Sequence, residues 1–292
     1  MSKTAVLTDS NSGITQSEAE KMGVYVIPMP FYIDNQLYYE DIDLTQEQFF
    51  EKLRNPDVKI TTSMPLVGDL VSKWDELLET YDDIVYIPMS SGLSSSCETA
   101  VMLSKDYDGR VQVVNNQRIS VTQRLSVVEA LAMVADGKNA LQIREFLEDT
   151  RFDSSIYITV ATLKYLRRGG RLTPAVAAIG TVLRIKPVLQ IQGEKLDSYS
   201  KARTMTQAKK IMMDAIDRDM KKRFNDPDGS NSIISIAHTD EAEAAEEFRQ
   251  EVLERWPDHE VIINPLSLSI ACHIGPGSLA ITTSVRHDIL KK

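Results

Sequence analysis

The chain has 292 residues, 42% hydrophobic and 26% charged, a length that exceeds one ordinary core and fits a two-domain soluble protein. Its net charge of -9 at pH 7 and pI near 5.1 speak against a nucleic-acid partner, which requires a basic face. The two cysteines, Cys97 and Cys272, have no CxxC partner and read as packing residues of a reduced, cytoplasmic protein.

In chain order, residues 6–8 read as a first strand, followed by the polar turn Asp9-Ser10. The stretch is too short and too poorly flanked for a signal peptide. Thr15-Gln16-Ser17-Glu18 is a capping box that opens a short helix stopped by Gly23, and residues 24–33 alternate as a strand broken by Pro28 and Pro30. Thr45-Gln46-Glu47-Gln48 opens a second helix to about Arg54. Thr61-Thr62-Ser63-Met64-Pro65 precedes an amphipathic helix, where hydroxyls before a proline read most simply as N-caps.

Residues 83–88 form a short buried strand that leads into Ser90-Ser91-Gly92-Leu93-Ser94-Ser95-Ser96 and a helix over 94–105. A turn from a parallel strand into a helix N-terminus exposes free N–H groups, and the helix dipole favours an anion there. The serine run is longer than a cap requires, so capping and anion binding stay open. A strand at 111–114 and helices over 119–135 and 140–151 complete a first domain of alternating strands and helices, which implies a parallel sheet.

The composition changes near Phe152-Asp153-Ser154, so the expected domains are 1–153, parallel α/β, and 154–292, α+β. In the second, 156–161 reads as a strand and 163–168 as a short helix ending in Gly169-Gly170-Arg171. The diglycine permits a tight reversal from which Arg171 projects toward a carboxylate or phosphate, or else favours the helix C-terminus by its charge. A small-residue helix over 174–183 comes next, far short of a membrane span. A hairpin of 187–192 and 195–200 across Gly193-Glu194 leads to Lys201-Ala202-Arg203, a second basic spot. Helices over 205–224 and 241–256 and strands at 232–238, 260–264 and 279–284 finish the chain. His273 precedes Gly275-Pro276-Gly277 and follows the apolar run Ile270-Ala271-Cys272, read as the end of a buried strand.

Two phosphate-binding loops are missing, GxxxxGK[ST] and GxGxxG, and the four histidines lack metal-ligand spacing. ATP, dinucleotides and metals are therefore not expected, and neither is any cofactor.

The order T-S-x-P, S-x-L-S, G-G-R and H-x-G-P-G, with Thr8-Asp9-Ser10 after the first strand, resembles the DegV family, the fatty-acid-binding subunits of bacterial fatty acid kinase. The resemblance covers almost the whole chain. It implies a two-domain DegV-type fold with one long-chain fatty acid buried between an N-terminal α/β and a C-terminal α+β domain. It also implies that Thr62, Ser94 and His273 hold the carboxylate, that Arg171, with Gly170 and Ser95, lies near the head group, and that Arg203 engages the kinase. The implied role is non-enzymatic. A separate ATP-binding kinase subunit phosphorylates the presented carboxylate, and the acyl phosphate feeds phospholipid synthesis, with an acyltransferase of that route as a further partner.

The chain departs from the family where Ser95 and Ser96 replace a common glycine and threonine, Met64 a frequent glutamine, and Ser278 a frequent alanine. Ser95 is placed where a side chain narrows the approach to the anion, and the small-residue helix over 174–183 is the expected wall for the acyl chain. Two alternatives stay open: a serine-dependent acyl hydrolase or transferase with Ser94 as nucleophile and His273 as base, although GxSxG is absent, and a lipid-sensing protein without a kinase.

Overall fold

A computed structural model describes residues 3–171, 173–179 and 185–291. Along the chain come β1 (Thr4–Asp9), α1 (Gln16–Met22), β2 (Tyr25–Ile27), β3 (Pro30–Ile33), β4 (Gln36–Tyr39), α2 (Gln46–Arg54), β5 (Ile60–Thr62), α3 (Val67–Leu78), β6 (Asp83–Ile87), α4 (Ser96–Leu103), β7 (Val111–Val113), α5 (Val121–Ala135) and α6 (Ala140–Asp149). There follow β8 (Ser154–Thr159), α7 (Lys164–Arg168), α8 (Pro174–Ile179), β9 (Lys186–Ile191), β10 (Leu196–Ala202), α9 (Met205–Lys222), β11 (Ser232–Thr239), α10 (Ala242–Arg255), β12 (Val261–Pro265), α11 (Leu268–Ile274) and β13 (Ser278–Val285). They form two compact units, residues 1–45, 56–151 and 288–292 in the first, 46–55 and 152–287 in the second.

The first unit is built on a parallel sheet of order β2-β1-β6-β7. Period-two alternation divides its side chains between two cores. Ala5, Leu7, Ile84 and Tyr86 face Leu70, Trp74 and Leu77 of α3 and Cys97 and Ala100 of α4. Val6, Val85 and Ile87 face Ala19 of α1, Val127 and Ala130 of α5, and Ile143 and Leu147 of α6. Each of the valines, leucines and isoleucines among them, fully buried, contributes about 1.5–3 kcal/mol. The connection from β1 reaches β2 on one side, and β6 lies on the other. The C-terminal ends of β1 and β6 therefore form a topological switch point, the place where open α/β sheets bind ligands.

Pro28 and Pro30 interrupt the 24–33 run more deeply than a kink. β2 joins the parallel sheet, whereas β3 centres a separate antiparallel sheet of order β4-β3-β5. The second unit carries a six-stranded sheet of order β10-β9-β8-β13-β11-β12, antiparallel except for β11 with β12. One face packs Tyr157, Ile236, Leu279 and Ile281 against Met212 and Ile216 of α9 and Phe248 and Val252 of α10. α2 belongs to this unit, with Gln46 Nε2 donating to the Leu266 carbonyl at 3.2 Å and Arg54 paired with Asp240. The α/β fold class with a parallel-sheet first domain and an α+β second domain is the observed one.

Candidate functional site

Thr62, Ser94 and Ser95 stand in the first unit, and Gly170, Arg171, Arg203 and His273 in the second. Thr62 is the last residue of β5, half-buried and paired with Phe31 on β3. The N-cap reading of Thr61 to Ser63 does not hold: α3 is capped by Leu66, which makes no side-chain cap bond. The proline redirects the chain out of the strand, and the hydroxyl residues remain on β5 and the loop after it.

The serine turn leaves the end of β6 as expected. Leu93 and Ser94 donate their N–H groups to the Ser90 carbonyl at 3.1 and 3.2 Å. Ser94 Oγ accepts from the Ser96 N–H at 3.2 Å, and Ser90 Oγ accepts from the Gly92 N–H at 3.3 Å. The serines thus satisfy part of the helix N-terminus, and the turn winds tightly beside the switch point. Met64 joins the T-S-x-P loop to this turn, its sulfur receiving the Thr99 hydroxyl at 3.6 Å and the Ser95 hydroxyl at 3.9 Å. Ser95 is exposed and turned toward that sulfur.

Beneath the turn lies a buried polar network that sequence reasoning gave no function. Asp9 is wholly buried at the end of β1. Its Oδ2 accepts from the Met89 N–H at 2.8 Å, and its Oδ1 from the Asn11 N–H and Gln123 Nε2, each at 3.0 Å. Burial raises its pKa, and the N–H donors of Met89, Gln123 and Asn11 oppose that shift. Thr8 Oγ1 donates to the Ile87 carbonyl at 2.7 Å, and Ser10 Oγ to Glu40 at 2.9 Å. Thr8-Asp9-Ser10 is legible as a motif, but Gln123, which sits inside an ordinary-looking helix, carries no local signal.

In the second unit the structure brings the diglycine, Arg171 and His273 together. α7 closes in a Schellman turn, with Gly170 left-handed at φ 69° and the Arg171 N–H donating to the Leu166 carbonyl at 3.0 Å. The exposed Arg171 guanidinium donates to the Gly169 carbonyl at 2.6 Å. His273 does not follow a strand. It lies in the last turn of α11, whose N-cap Ser267 accepts from the Ile270 N–H. The helices α7 and α11 approach through two glycines: a Cβ on Gly169 would run into the His273 ring, and one on Gly275, at φ 74°, into the Tyr165 ring. Burial, reinforced by the Arg171 charge, pushes the His273 pKa down to about 4, so the ring is neutral at pH 7. A neutral imidazole offers one N–H donor and one acceptor, which suits it to a carboxylate oxygen.

Arg203 is exposed between β10 and α9, its N–H donating to Gln207 Oε1 at 2.8 Å, apart from the His273 cluster in chain and contacts. Of the expected acyl wall, residues 174–179 form α8, and 180–183 lie outside the described residues. Among the described residues, no helix is long and apolar enough to cross a membrane, and no group of three or more His, Cys, Asp or Glu residues is placed to hold a metal ion.

The first unit thus carries a serine turn at the parallel sheet's switch point, and the second a histidine packed against a glycine. A family model described as "Uncharacterised protein, DegV family" matches residues 3–286, and the chain belongs to the DegV family. It is 28% identical over 279 residues to protein DegV of Bacillus subtilis, covering 95% of this chain and 97% of that one. It is 29% identical over 289 residues to a DegV domain-containing protein of Clostridium perfringens, covering 96% and 97%. Among solved structures it is similar to that of DegV, a fatty acid binding protein from Bacillus subtilis, with a TM-score of 0.86, 27% identity and coverage of 98% and 100%. It also matches a structure recording fatty acid binding of a DegV family protein from Thermus thermophilus, with a TM-score of 0.84, 28% identity and coverage of 97% and 99%.

Proposed function

We propose that this chain binds one long-chain fatty acid and presents its carboxylate to a separate ATP-dependent kinase subunit in the cytoplasm, for conversion to an acyl phosphate that feeds phospholipid synthesis. The observation that carries the binding is the near-complete structural match to Bacillus subtilis DegV, a fatty acid binding protein. In this reading Thr62, Ser94 and His273 hold the carboxylate, and Arg171, with Gly170 and Ser95 nearby, steadies the charge as the phosphoryl group arrives. Arg203 meets the kinase, and an acyltransferase takes the product onward. The chain is a binding subunit, and its partner supplies the nucleotide chemistry. The serine hydrolase alternative gains no support from the relatives.

Energetics divide the labour. Each buried methylene contributes about 0.8 kcal/mol, so about fifteen give roughly 12 kcal/mol before ordering and association costs. A neutral hydrogen bond contributes about 0.5–1.5 kcal/mol. The tail therefore sets affinity, and the head-group residues set register and reactivity.

The test is phosphoryl transfer to bound fatty acid in a reconstituted system with an ATP-binding fatty acid kinase subunit. Ser94→Ala is expected to cut turnover tenfold or more while the protein stays folded and lipid-bound. Arg203→Ala is expected to retain the lipid and lose productive engagement. Unchanged turnover in Ser94→Ala removes that residue from the site, and loss of lipid from Arg203→Ala reassigns the arginine to the pocket.

A further inference from the structure

We infer that Asp9 is a positioning residue for the anion-binding turn at 90–94, acting through the backbone of Met89 to set where Ser94 and the turn's N–H groups stand. The inference rests on the fatty-acid reading above and assigns a task that the head-group residues do not perform for themselves.

β6 ends at Ile87, and from there the chain must be stopped and turned within a few residues. Asp9 supplies the stop. Its Oδ2 takes the Met89 N–H at 2.8 Å, one residue before the serine run. The next N–H, that of Ser90, goes to the Arg118 carbonyl at 2.9 Å. The Ser90 carbonyl then gathers the N–H groups of Leu93 and Ser94, and Ser94 Oγ receives the N–H of Ser96 at the start of α4. The Asp9 carboxylate is thus joined to the turn through the Met89 N–H and the covalent step from Met89 to Ser90, whose carbonyl holds the Leu93 and Ser94 N–H groups.

The other side of the carboxylate is equally fixed. Oδ1 accepts from Asn11 N–H and Gln123 Nε2, and the same Gln123 nitrogen lies 3.1 Å from both the Ile87 carbonyl and Thr8 Oγ1. Asn11 Nδ2 reaches the Met89 sulfur at 3.1 Å, and the Asn11 backbone carbonyl accepts the Ser120 N–H at 3.0 Å, at the start of α5. Asp9 and Gln123 thus tie the C-terminal ends of the two central strands to α5. Asp9, Asn11 and Gln123 each have 0% exposure.

A buried carboxylate is costly, and where only stability matters apolar packing serves as well or better. The arrangement gives Asp9 what an apolar residue lacks, two acceptor oxygens that hold three N–H donors from three segments in one geometry. Asparagine has nearly the same shape but a single acceptor oxygen, and with that oxygen on the side of the two donors Asn11 N–H and Gln123 Nε2 its Nδ2 faces the Met89 N–H, so Asp9→Asn releases the turn while leaving the volume filled.

The experiment compares equilibrium binding of a long-chain fatty acid and the primary alcohol of the same length to the wild type, Asp9→Asn and Gln123→Met. The alcohol shares the tail and lacks the carboxylate. The wild type is expected to prefer the acid tenfold or more. Asp9→Asn is expected to lose most of that preference, binding the acid about tenfold more weakly and the alcohol within twofold of wild type. Gln123→Met, which leaves the bond to Met89, moves the same way by less and decides the matter if Asp9→Asn does not fold. Equal weakening for acid and alcohol, the mark of a general structural role, overturns the inference, as does an unchanged acid preference. A wild-type protein that binds neither compound overturns the fatty-acid reading itself, and this role with it.

Discussion

His273 shows how one side chain's chemistry depends on its packing. Burial comes first and the Arg171 charge second, and together they hold the imidazole near a pKa of about 4, against 6.5 in the unfolded chain. Because the folded value is the lower one, protonation favours the unfolded state. The contribution is complete above pH 6.5 and is lost as the pH falls from 6.5 toward 4, amounting to about 3 kcal/mol at most. Urea unfolding of wild type and His273→Gln at pH 7.5 and 4.5 checks this. The wild type is expected to lose more stability on acidification, and an equal loss in both proteins would place the histidine in water. The residue was legible as a candidate from its glycine neighbours, but its setting was not. Ile270-Ala271-Cys272 is a short apolar run, and periodicity over three residues does not separate a buried strand from one turn of a buried helix. The structure chooses the helix α11.

At the scale of elements, the contact between α7 and α11 depends on absent side chains. Gly275→Ala introduces a Cβ at a left-handed φ of 74° and against the Tyr165 ring, two penalties at one position. It is expected to destabilise by about 2–4 kcal/mol, read from the denaturation midpoint. Gly23→Ala also sits at positive φ but has nothing within 4 Å of its Cβ, and is the control expected to cost less. A second element-level joint is the ion pair of Arg118 with Glu129 on α5, at 3.2 Å and almost wholly buried, with Arg118 also donating to the Thr150 carbonyl. Removing one partner by Glu129→Ala strands a guanidinium and is expected to cost about 3–5 kcal/mol. The double change Arg118→Met with Glu129→Leu recovers most of that. A single variant as stable as wild type in urea would show that the pair carries no such burden.

The longer elements were readable from the sequence. The capping box at Thr15 and the left-handed Gly23 stand as expected, and the hairpin across Gly193-Glu194 has arms at Lys186–Ile191 and Leu196–Ala202. β4 and β5 were not. β4 pairs with β3 across the two-residue turn Asp34-Asn35, both at positive φ, a local hairpin signal the alternating 24–33 run masked, whereas β5 pairs with β3 across nearly thirty residues of chain, information that no local window holds. The same limit hid the cap of α3, where hydroxyl residues that resemble an N-cap are drawn into β5 by that pairing.

The whole molecule shows how function is distributed over the chain. Segment 46–55 packs with the second unit and 288–292 with the first, so neither unit is one continuous stretch. The family was legible because five short motifs occur in one order, and the match over residues 3–286 shows it. What no motif could give is the support beneath them: Gln123 under the serine turn, and Tyr165 against Gly275. These contacts arise from tertiary packing of residues that look ordinary in their own helices.

Whether the chain binds a fatty acid is settled by native mass spectrometry of the purified protein, followed by solvent extraction and identification of released lipid. One long-chain fatty acid per chain is expected, as purified or after incubation with a panel of fatty acids. A mass that stays at that of the bare polypeptide after such incubation would contradict it and return the serine turn and His273 to the search for a different anion.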